Sequence, residues 1–142
     1  MSYSPRAVLD TLRIPVVRVP LRDTWGAWSP LHRKIVIASG LSPVQERCVL
    51  AHEVEHALAD DLGCGVGLYA AHPQAIPQER RADTMAARKL ISISDLASTA
   101  QWADDIRIAA AELEVTERML RVRLHDLDGE GWPWPATSKT AG

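Results

Sequence analysis

The amino-acid sequence predicts a small α+β domain, in which a three-stranded sheet packs on one buried helix and the C-terminal third is helical. Three observations support this prediction. The β-branched segments that are typical of strands all lie within the first 40 residues. An apolar segment with strong helix-capping residues follows them. Beyond residue 94 the pattern is helical as far as residue 127.

The N-terminal region should contain one short helix and the whole sheet. Ser4 and Pro5 are typical of the first residues of a helix, and Pro15 should end it. The segments that follow are rich in β-branched and aromatic residues, with a turn at Ser29 and Pro30. The predicted strands are residues 16–19, 25–28 and 33–38.

The buried helix should begin with a capping box, in which Ser42 and Gln45 bind each other's backbone and Pro43 is the first helical residue. Apolar residues occupy most of its faces, as expected for a helix inside a core. We expect it to run to about Leu62 and to stop at Gly63, because glycine commonly follows the last helical residue.

The two cysteines are not expected to form a disulfide. Cys48 lies in the buried helix and Cys64 lies just beyond its predicted end. A rise of ~1.5 Å per residue places them roughly 24 Å apart, whereas bridged Cα atoms are within about 7 Å. Two reduced and mostly buried thiols are the better interpretation.

The remainder of the chain should be helical after a loop rich in small residues between Gly63 and Pro77. A second core helix is predicted over 78–91, and three more over 94–102, 105–114 and 116–127. We therefore divide the chain into a core of residues 1–93, a helical region of residues 94–130 that packs on it, and a flexible tail of residues 131–142.

Composition excludes several classes of protein. Hydrophobic residues at 46% and charged residues at 24% are globular values and argue against disorder. A net charge of -2 does not indicate a general nucleic-acid binder. No segment approaches the ~20 apolar residues of a membrane span. Because the N-terminal residues also lack the pattern of a signal peptide, we expect a cytoplasmic protein without membrane association.

Residues 52–56, which read His-Glu-Val-Glu-His, carry the chemistry. Two residues four apart share a helix face, so His52 and His56 can offer two imidazole nitrogens to one Zn²⁺. Glu53 would lie beside the open position of the metal, where it can take a proton from the activated water and deliver it to the leaving amine. A chance match has a probability of roughly 0.01. The alternative is two histidines that merely satisfy hydrogen bonds in the core.

A catalytic zinc site needs a third protein ligand. The metzincin extension is absent, because Ala59 and Leu62 stand where that class has glycine and histidine. The downstream candidates are Asp60, Asp61, His72, Glu79 and Asp83.

Glu79 is the best placed of these candidates, and His72 is its main rival. The loop allows the helix that begins near Glu79 to fold back across the first helix, whereas Asp60 and Asp61 fall in the last turn of the first helix. Asp83 lies one turn beyond Glu79, where it could accept the second N–H of a zinc-binding histidine. Glu55 points away from the histidine pair and should be solvated or salt-bridged.

Two blocks that cover about half of the chain resemble the ImmA/IrrE-type metallopeptidases. The first, residues 26–58, contains the strand Lys34-Ile35-Val36-Ile37 and the run Leu50-Ala51-His52-Glu53-Val54-Glu55-His56-Ala57; the second is Glu79-Arg80-Arg81-Ala82-Asp83-Thr84-Met85-Ala86-Ala87-Arg88-Lys89-Leu90-Ile91. The sequence departs from the family pattern at Glu55, where glycine is common, and after Ile91, where Met-Pro is common.

The resemblance implies a minimal zincin-like fold of the gluzincin type, with one Zn²⁺ per chain and Glu79 as its third protein ligand. It also implies an endopeptidase that cleaves a repressor-like regulator of a phage or mobile element, in the cytoplasm of the host cell. Substrates of such enzymes bind as an added strand, so the strand near residues 34–38 or the one near 25–28 should form the upper edge of the site. Tyr69 and His72, on the loop between the two motif helices, could reach the developing oxyanion, but the favoured interpretation is that they are ordinary loop residues.

Two other functions fit part of the sequence. Residues 108–124 resemble a helix-turn-helix, to which Arg118, Arg121 and Arg123 add positive charge. The same residues also fit a helical pair that docks on the core, so direct DNA binding is not favoured. Alternatively, a zinc-containing regulator could inactivate its partner by binding without proteolysis, since the motif permits cleavage but does not require it.

Overall fold

The structure is a computed structural model that describes residues 2–61, 75–127 and 134. Its elements in chain order are α1 (Pro5–Leu12), β1 (Val16–Val19), β2 (Gly26–Ser29), β3 (Lys34–Ala38), α2 (Pro43–Leu58), α3 (Ala75–Leu90), α4 (Ile93–Ala100), α5 (Ile106–Leu113) and α6 (Glu117–Asp126). One three-stranded sheet and six helices in the described residues confirm the predicted α+β class.

The sheet is mixed and has β3 as its central strand. β1 runs parallel to β3, and β2 runs antiparallel to it, in the order β1-β3-β2. Val36 pairs with Val17 on one side and with Ala27 on the other. Because β3 is hydrogen-bonded on both sides, it cannot receive a further strand. Of the two strands considered for the upper edge of the site, only β2 has a free side within the described sheet.

Helix α2 lies between two hydrophobic clusters, which explains why it is apolar on most faces. Its capping box is confirmed: Gln45 N–H donates to Ser42 Oγ over 3.1 Å, and Ser42 N–H donates to Gln45 Oε1 over 2.9 Å. One cluster joins α1, the sheet and α2, and the other joins α2 to the helices that follow. The first cluster consists of Leu9, Ile14, Trp28, Ile35, Ile37, Leu50, Val54 and Ala57.

The end of α2 corrects the sequence prediction. The helix ends at Leu58, four residues before the expected end, and Ala59 caps it. Asp60 then adopts a positive φ of 51°, which aspartate tolerates better than most residues, and the chain turns back on itself. Asp61 N–H consequently donates to the carbonyl of His56 over 2.9 Å. Asp60 and Asp61 therefore do not continue the helix.

The C-terminal helices pack on α2 and α3 through the second cluster. Each begins at a side-chain cap: Ser92 for α4, Asp105 for α5 and Thr116 for α6. Trp134, which falls within the predicted tail, is buried in the second cluster, and its indole N–H donates to the carbonyl of Ala103 over 3.2 Å. Within the described ranges, no helix has the length and apolar character that a membrane span requires.

Candidate metal centre

The crossing of α2 and α3 brings three potential metal ligands together. His52 and His56 lie one turn apart on α2, and their Nε2 atoms are 3.0 Å from each other. Glu79 in the first part of α3 reaches both: Oε2 lies 3.0 Å from Nε2 of His52, and Oε1 lies 2.9 Å from Nε2 of His56. Among the described residues, these three side chains form a group whose ligand atoms lie close enough together to hold a metal ion.

The opposite nitrogen of each imidazole contacts an aspartate. Nδ1 of His52 lies 2.7 Å from Oδ1 of Asp83, and Nδ1 of His56 lies 2.9 Å from Oδ2 of Asp61. An ionised carboxylate can only accept, so each Nδ1 carries the proton that it donates. In a neutral imidazole this leaves the lone pair on Nε2, which lies beside the Glu79 carboxylate and the Nε2 atom of the other histidine.

This arrangement requires a positive charge at its centre. Two Nε2 lone pairs and a carboxylate within 3.0 Å of one another would otherwise repel. Without metal, protons supply the charge: although burial opposes it, hydrogen bonds with Asp83 and Glu79 raise the pKa of His52 to about 10. The pKa of His56 is also raised, against burial, by Glu79. Burial opposes ionisation of Glu79, but both histidines hold its pKa far below the ordinary value.

The donor set fits a small divalent cation. Nitrogen or oxygen ligands at ~2.0–2.1 Å in tetrahedral geometry are about 3.3 Å apart, close to the 2.9–3.0 Å separations of this cluster. Three protein ligands also leave a fourth position for water or substrate, as in catalytic rather than structural sites. The residues present can therefore hold a metal ion of this kind.

A cleft of about 430 Å³ opens beside the cluster. Glu53 is buried at 3% exposure and lines this cleft with His52, Glu79 and Asp83. One wall comes from the chain that leads into β2, and the other comes from the beginning of α6. The wall residues include Thr24, Trp25, Gly26, Thr116, Arg118 and Met119.

The close approach of β2 to α2 depends on a glycine. A Cβ atom at Gly26 would lie 2.6 Å from Cγ1 of Val49 and 3.4 Å from Cγ of Glu53. The first distance is shorter than carbon atoms normally tolerate, so a larger residue would push the strand away from the helix. The glycine thus keeps the outer strand of the sheet next to the cleft.

Two other residues considered from the sequence, Asp60 and Glu55, lie apart from the three potential metal ligands. Asp60 lies on the surface, where its side chain is 70% exposed and faces Arg33 at 3.7 Å. Glu55 points away from the cluster, as expected, and its buried carboxylate accepts from Nζ of Lys89 over 2.7 Å. Tyr69, His72 and Cys64 lie outside the described residues. Cys48 is buried and has a free thiol.

Sequence reasoning missed the contacts that three residues make around the cluster: Asp61, which was considered only as a ligand, Arg118, which was considered only for DNA binding, and Arg81. The role of Asp61 could have been found from a correct helix end, because only the turn at Asp60 directs it back towards His56. Arg81 pairs with Asp61, and Arg118 of α6 pairs with Asp83. No local pattern reveals these contacts, since they depend on how the helices pack.

The arginines that suggested DNA binding each contact a carboxylate within the chain. Arg121 pairs with Glu117 one turn earlier, at 3.3 Å. Arg123 is buried, donates to the carbonyl of Ile91 and pairs with Asp126 at 2.8 Å. The Arg118–Asp83 pair and the bond from Arg123 to Ile91 dock α6 on the protein, whereas the other two ion pairs lie within α6. All three positive charges already have carboxylate partners, which does not favour phosphate contacts.

The fold and the cluster are those of a metallopeptidase-type domain: small, α+β, with two histidines and a glutamate gathered by two helices. The model of the peptidase M78 family, described as the IrrE N-terminal-like domain, matches residues 11–125. The chain therefore belongs to this family, which confirms the resemblance found in the sequence and implies a peptidase with a protein substrate. No curated protein matches the chain.

Proposed function

We propose that the chain is a zinc-dependent metallo-endopeptidase that cleaves a regulatory protein. In this proposal His52, His56 and Glu79 bind one Zn²⁺, and Glu53 is the catalytic residue. The observation that carries it is the convergence of the two Nε2 atoms and the Glu79 carboxylate beside a cleft, in a chain of a peptidase family.

The ligand types favour zinc over the other common divalent ions. Calcium and magnesium prefer sites made entirely of oxygen ligands, whereas two imidazoles and one carboxylate are typical of catalytic zinc. Asp83 and Asp61 add the carboxylate partners that commonly orient zinc-binding histidines. Zinc, when bound, would supply Lewis-acid chemistry that acidifies water and polarises the scissile carbonyl.

Glu53 would move the proton in this reaction. It follows His52 directly on α2, and it is buried in the cleft where a peptide would lie. A carboxylate in that place can accept the proton of the attacking water and deliver it to the amine that leaves. Its burial keeps bulk water away from the proton while it is transferred.

Strand β2 would hold the substrate. It is an outer strand of the described sheet and borders the cleft, so an extended peptide can add to it through backbone hydrogen bonds. The side chains of such a peptide would face α2 and the beginning of α6, across the cleft. Tyr69 and His72 remain proposed stabilisers of the oxyanion.

The proposed substrate class comes from the family resemblance, in which the peptidase inactivates a repressor-like regulator of a phage or mobile element. A cytoplasmic location would place the enzyme with such a regulator. The carboxylate partners of Arg118, Arg121 and Arg123 agree with a function that acts on a protein rather than on DNA.

Glu53→Gln tests the proposal. This variant keeps the shape of the side chain but cannot accept the proton, so it should bind about one zinc per chain and fail to cleave. Asp60→Asn is the matched control, because it removes an exposed carboxylate outside the cluster. Each protein is incubated with a peptide library and with a regulator encoded beside its gene, and the products are identified by mass spectrometry.

The outcomes separate the alternatives. Cleavage by the wild type and by Asp60→Asn, but not by Glu53→Gln, supports the peptidase. If Glu53→Gln still inactivates the regulator completely, binding without proteolysis is the mechanism. A wild-type chain that holds no zinc would refute the metal site itself.

A further inference from the structure

Both histidines of the cluster belong to the same kind of three-residue chain. On one side, Asp83 accepts from His52 and also from Arg118, with Nη2 2.6 Å from Oδ2 and Nη1 3.3 Å from Oδ1. On the other side, Asp61 accepts from His56 and from Arg81, whose Nη1 lies 3.1 Å from Oδ1 and whose Nη2 contacts Oδ2. Each guanidinium group therefore holds its carboxylate at two points.

Two-point contact fixes the plane of a carboxylate, which a single hydrogen bond does not. An aspartate side chain held only by its histidine could rotate, and the imidazole would rotate with it. The two arginines come from different elements, since Arg81 lies on α3 and Arg118 lies on α6. Their presence on both sides of the cluster argues that the arrangement serves the histidines rather than one local surface.

We propose that Arg118 and Arg81 are positioning residues for the metal: each locks the aspartate that orients one metal-binding histidine. The inference rests on the proposed metal site and adds that α6, outside both sequence motifs, completes it. The C-terminal helical region is then part of the active site and not only a support for the core.

The charges of the cluster agree with this assignment. Two guanidinium groups and one divalent ion together balance the four carboxylates around two neutral imidazoles. The carboxylates are those of Glu53, Glu79, Asp61 and Asp83. With both arginines in place, the bound metal would leave no uncompensated charge in a partly buried site.

The opposing interpretation is that Arg118 is a surface cation, because its side chain is 68% exposed. The two interpretations predict changes of opposite sign. If Arg118 acts only through its charge, its removal relieves repulsion of the metal ion and zinc binds more tightly. If Arg118 positions His52 through Asp83, its removal weakens zinc binding even though a positive charge has been lost.

Arg118→Gln and Arg118→Lys distinguish these effects, with Arg88→Gln as the matched control. Arg88 also joins α3 to α6 by two-point contact with an aspartate, Asp126 at 2.7 and 3.0 Å, but lies away from the histidines. Lysine keeps the charge and loses the two-point contact. Zinc affinity is measured by competition with a chelator, and ligand geometry by the visible spectrum of the cobalt-substituted protein.

We expect Arg118→Gln to weaken zinc binding by about tenfold to a hundredfold and to change the cobalt spectrum. Arg118→Lys should lose a smaller part of the affinity, Arg81→Gln should resemble Arg118→Gln, and Arg88→Gln should match the wild type. Urea unfolding of the metal-free proteins controls for stability, since Arg118→Gln and Arg88→Gln each remove one α3–α6 link.

Unchanged or tighter zinc binding by Arg118→Gln would overturn the proposal, as would equal losses in Arg118→Gln and Arg88→Gln. These results are distinct from failure of the proposed function. In that case the wild-type chain itself would bind no zinc, or would bind zinc and cleave nothing.

Discussion

Gly26→Ala should destabilise the protein by crowding the contact between β2 and α2. The added Cβ would lie 2.6 Å from Cγ1 of Val49, about 0.8 Å short of the closest ordinary contact between carbon atoms. Val49 is branched at Cβ and has few alternative rotamers on a helix, so it cannot move aside freely. The backbone of β2 must therefore shift.

The expected cost follows from this overlap. Crowding by one methyl group in a packed region costs about 1–3 kcal/mol of unfolding free energy. The single substitution Val49→Ala removes two methyl groups from a half-buried side chain and should cost about 1 kcal/mol of unfolding free energy. In the double variant the clash with Cγ1 is gone, so its loss should be smaller than the sum of the two single losses by about 1–2 kcal/mol.

Urea unfolding of the metal-free proteins measures this coupling without a contribution from zinc binding. The zinc-loaded proteins are then compared for cleavage of one peptide. Gly26→Ala should lower kcat/KM, because β2 moves away from Glu53, and the double variant should recover part of it. If the losses of the two single variants sum to the loss of the double variant within about 0.5 kcal/mol, the argument that Val49 excludes a side chain at position 26 is refuted.

Two further predictions concern the metal-free protein and the tail. The pKa of His52 is about 10 in the fold, above the ordinary value of 6.5, so this group stabilises the metal-free protein below pH 6.5, and the contribution is lost as the pH rises to 10. Urea unfolding with a chelator present should show the free energy falling between about pH 7 and about pH 9.5, and a constant value would contradict the contacts with Asp83 and Glu79. Trp134→Ala should cost about 3 kcal/mol, because it removes a buried indole and its hydrogen bond to Ala103. A shift of the urea midpoint worth less than about 1 kcal/mol would indicate that the tail does not contribute to stability.

The sequence was sufficient for features that depend on neighbouring residues. The capping box of Ser42 and Gln45 fixes where α2 begins, and the helical repeat then places His52 and His56 on one face. The beginnings of α5 and α6 follow the same local rules, whereas α4 begins at Ile93, one residue before its predicted start, with Ser92 as its cap. Glu79 could be preferred as a partner because the second core helix was expected to fold back across α2 near this residue, although α3 begins earlier, at Ala75, and Glu79 lies in its second turn.

Features that depend on long-range packing could not be obtained in this way. Gly63 was the expected end of α2, but Asp60 already adopts the left-handed conformation, and the turn brings Asp61 to His56. Sequence pattern suggested DNA contacts for Arg118, whereas the packing of α6 directs it to Asp83. The order of the strands was also inaccessible, since all three are too short for their pattern to show which one is central.

The zinc content of three purified proteins tests the central claim most directly. The wild type, Glu79→Ala and Asp60→Ala are loaded with zinc, dialysed against a weak chelator and measured by elemental mass spectrometry. Glu79 touches both histidines, whereas Asp60 lies on the surface. We predict about one zinc per chain in the wild type and in Asp60→Ala, and a nearly complete loss in Glu79→Ala. A wild type without zinc, or a greater loss in Asp60→Ala than in Glu79→Ala, would contradict the proposed metal centre.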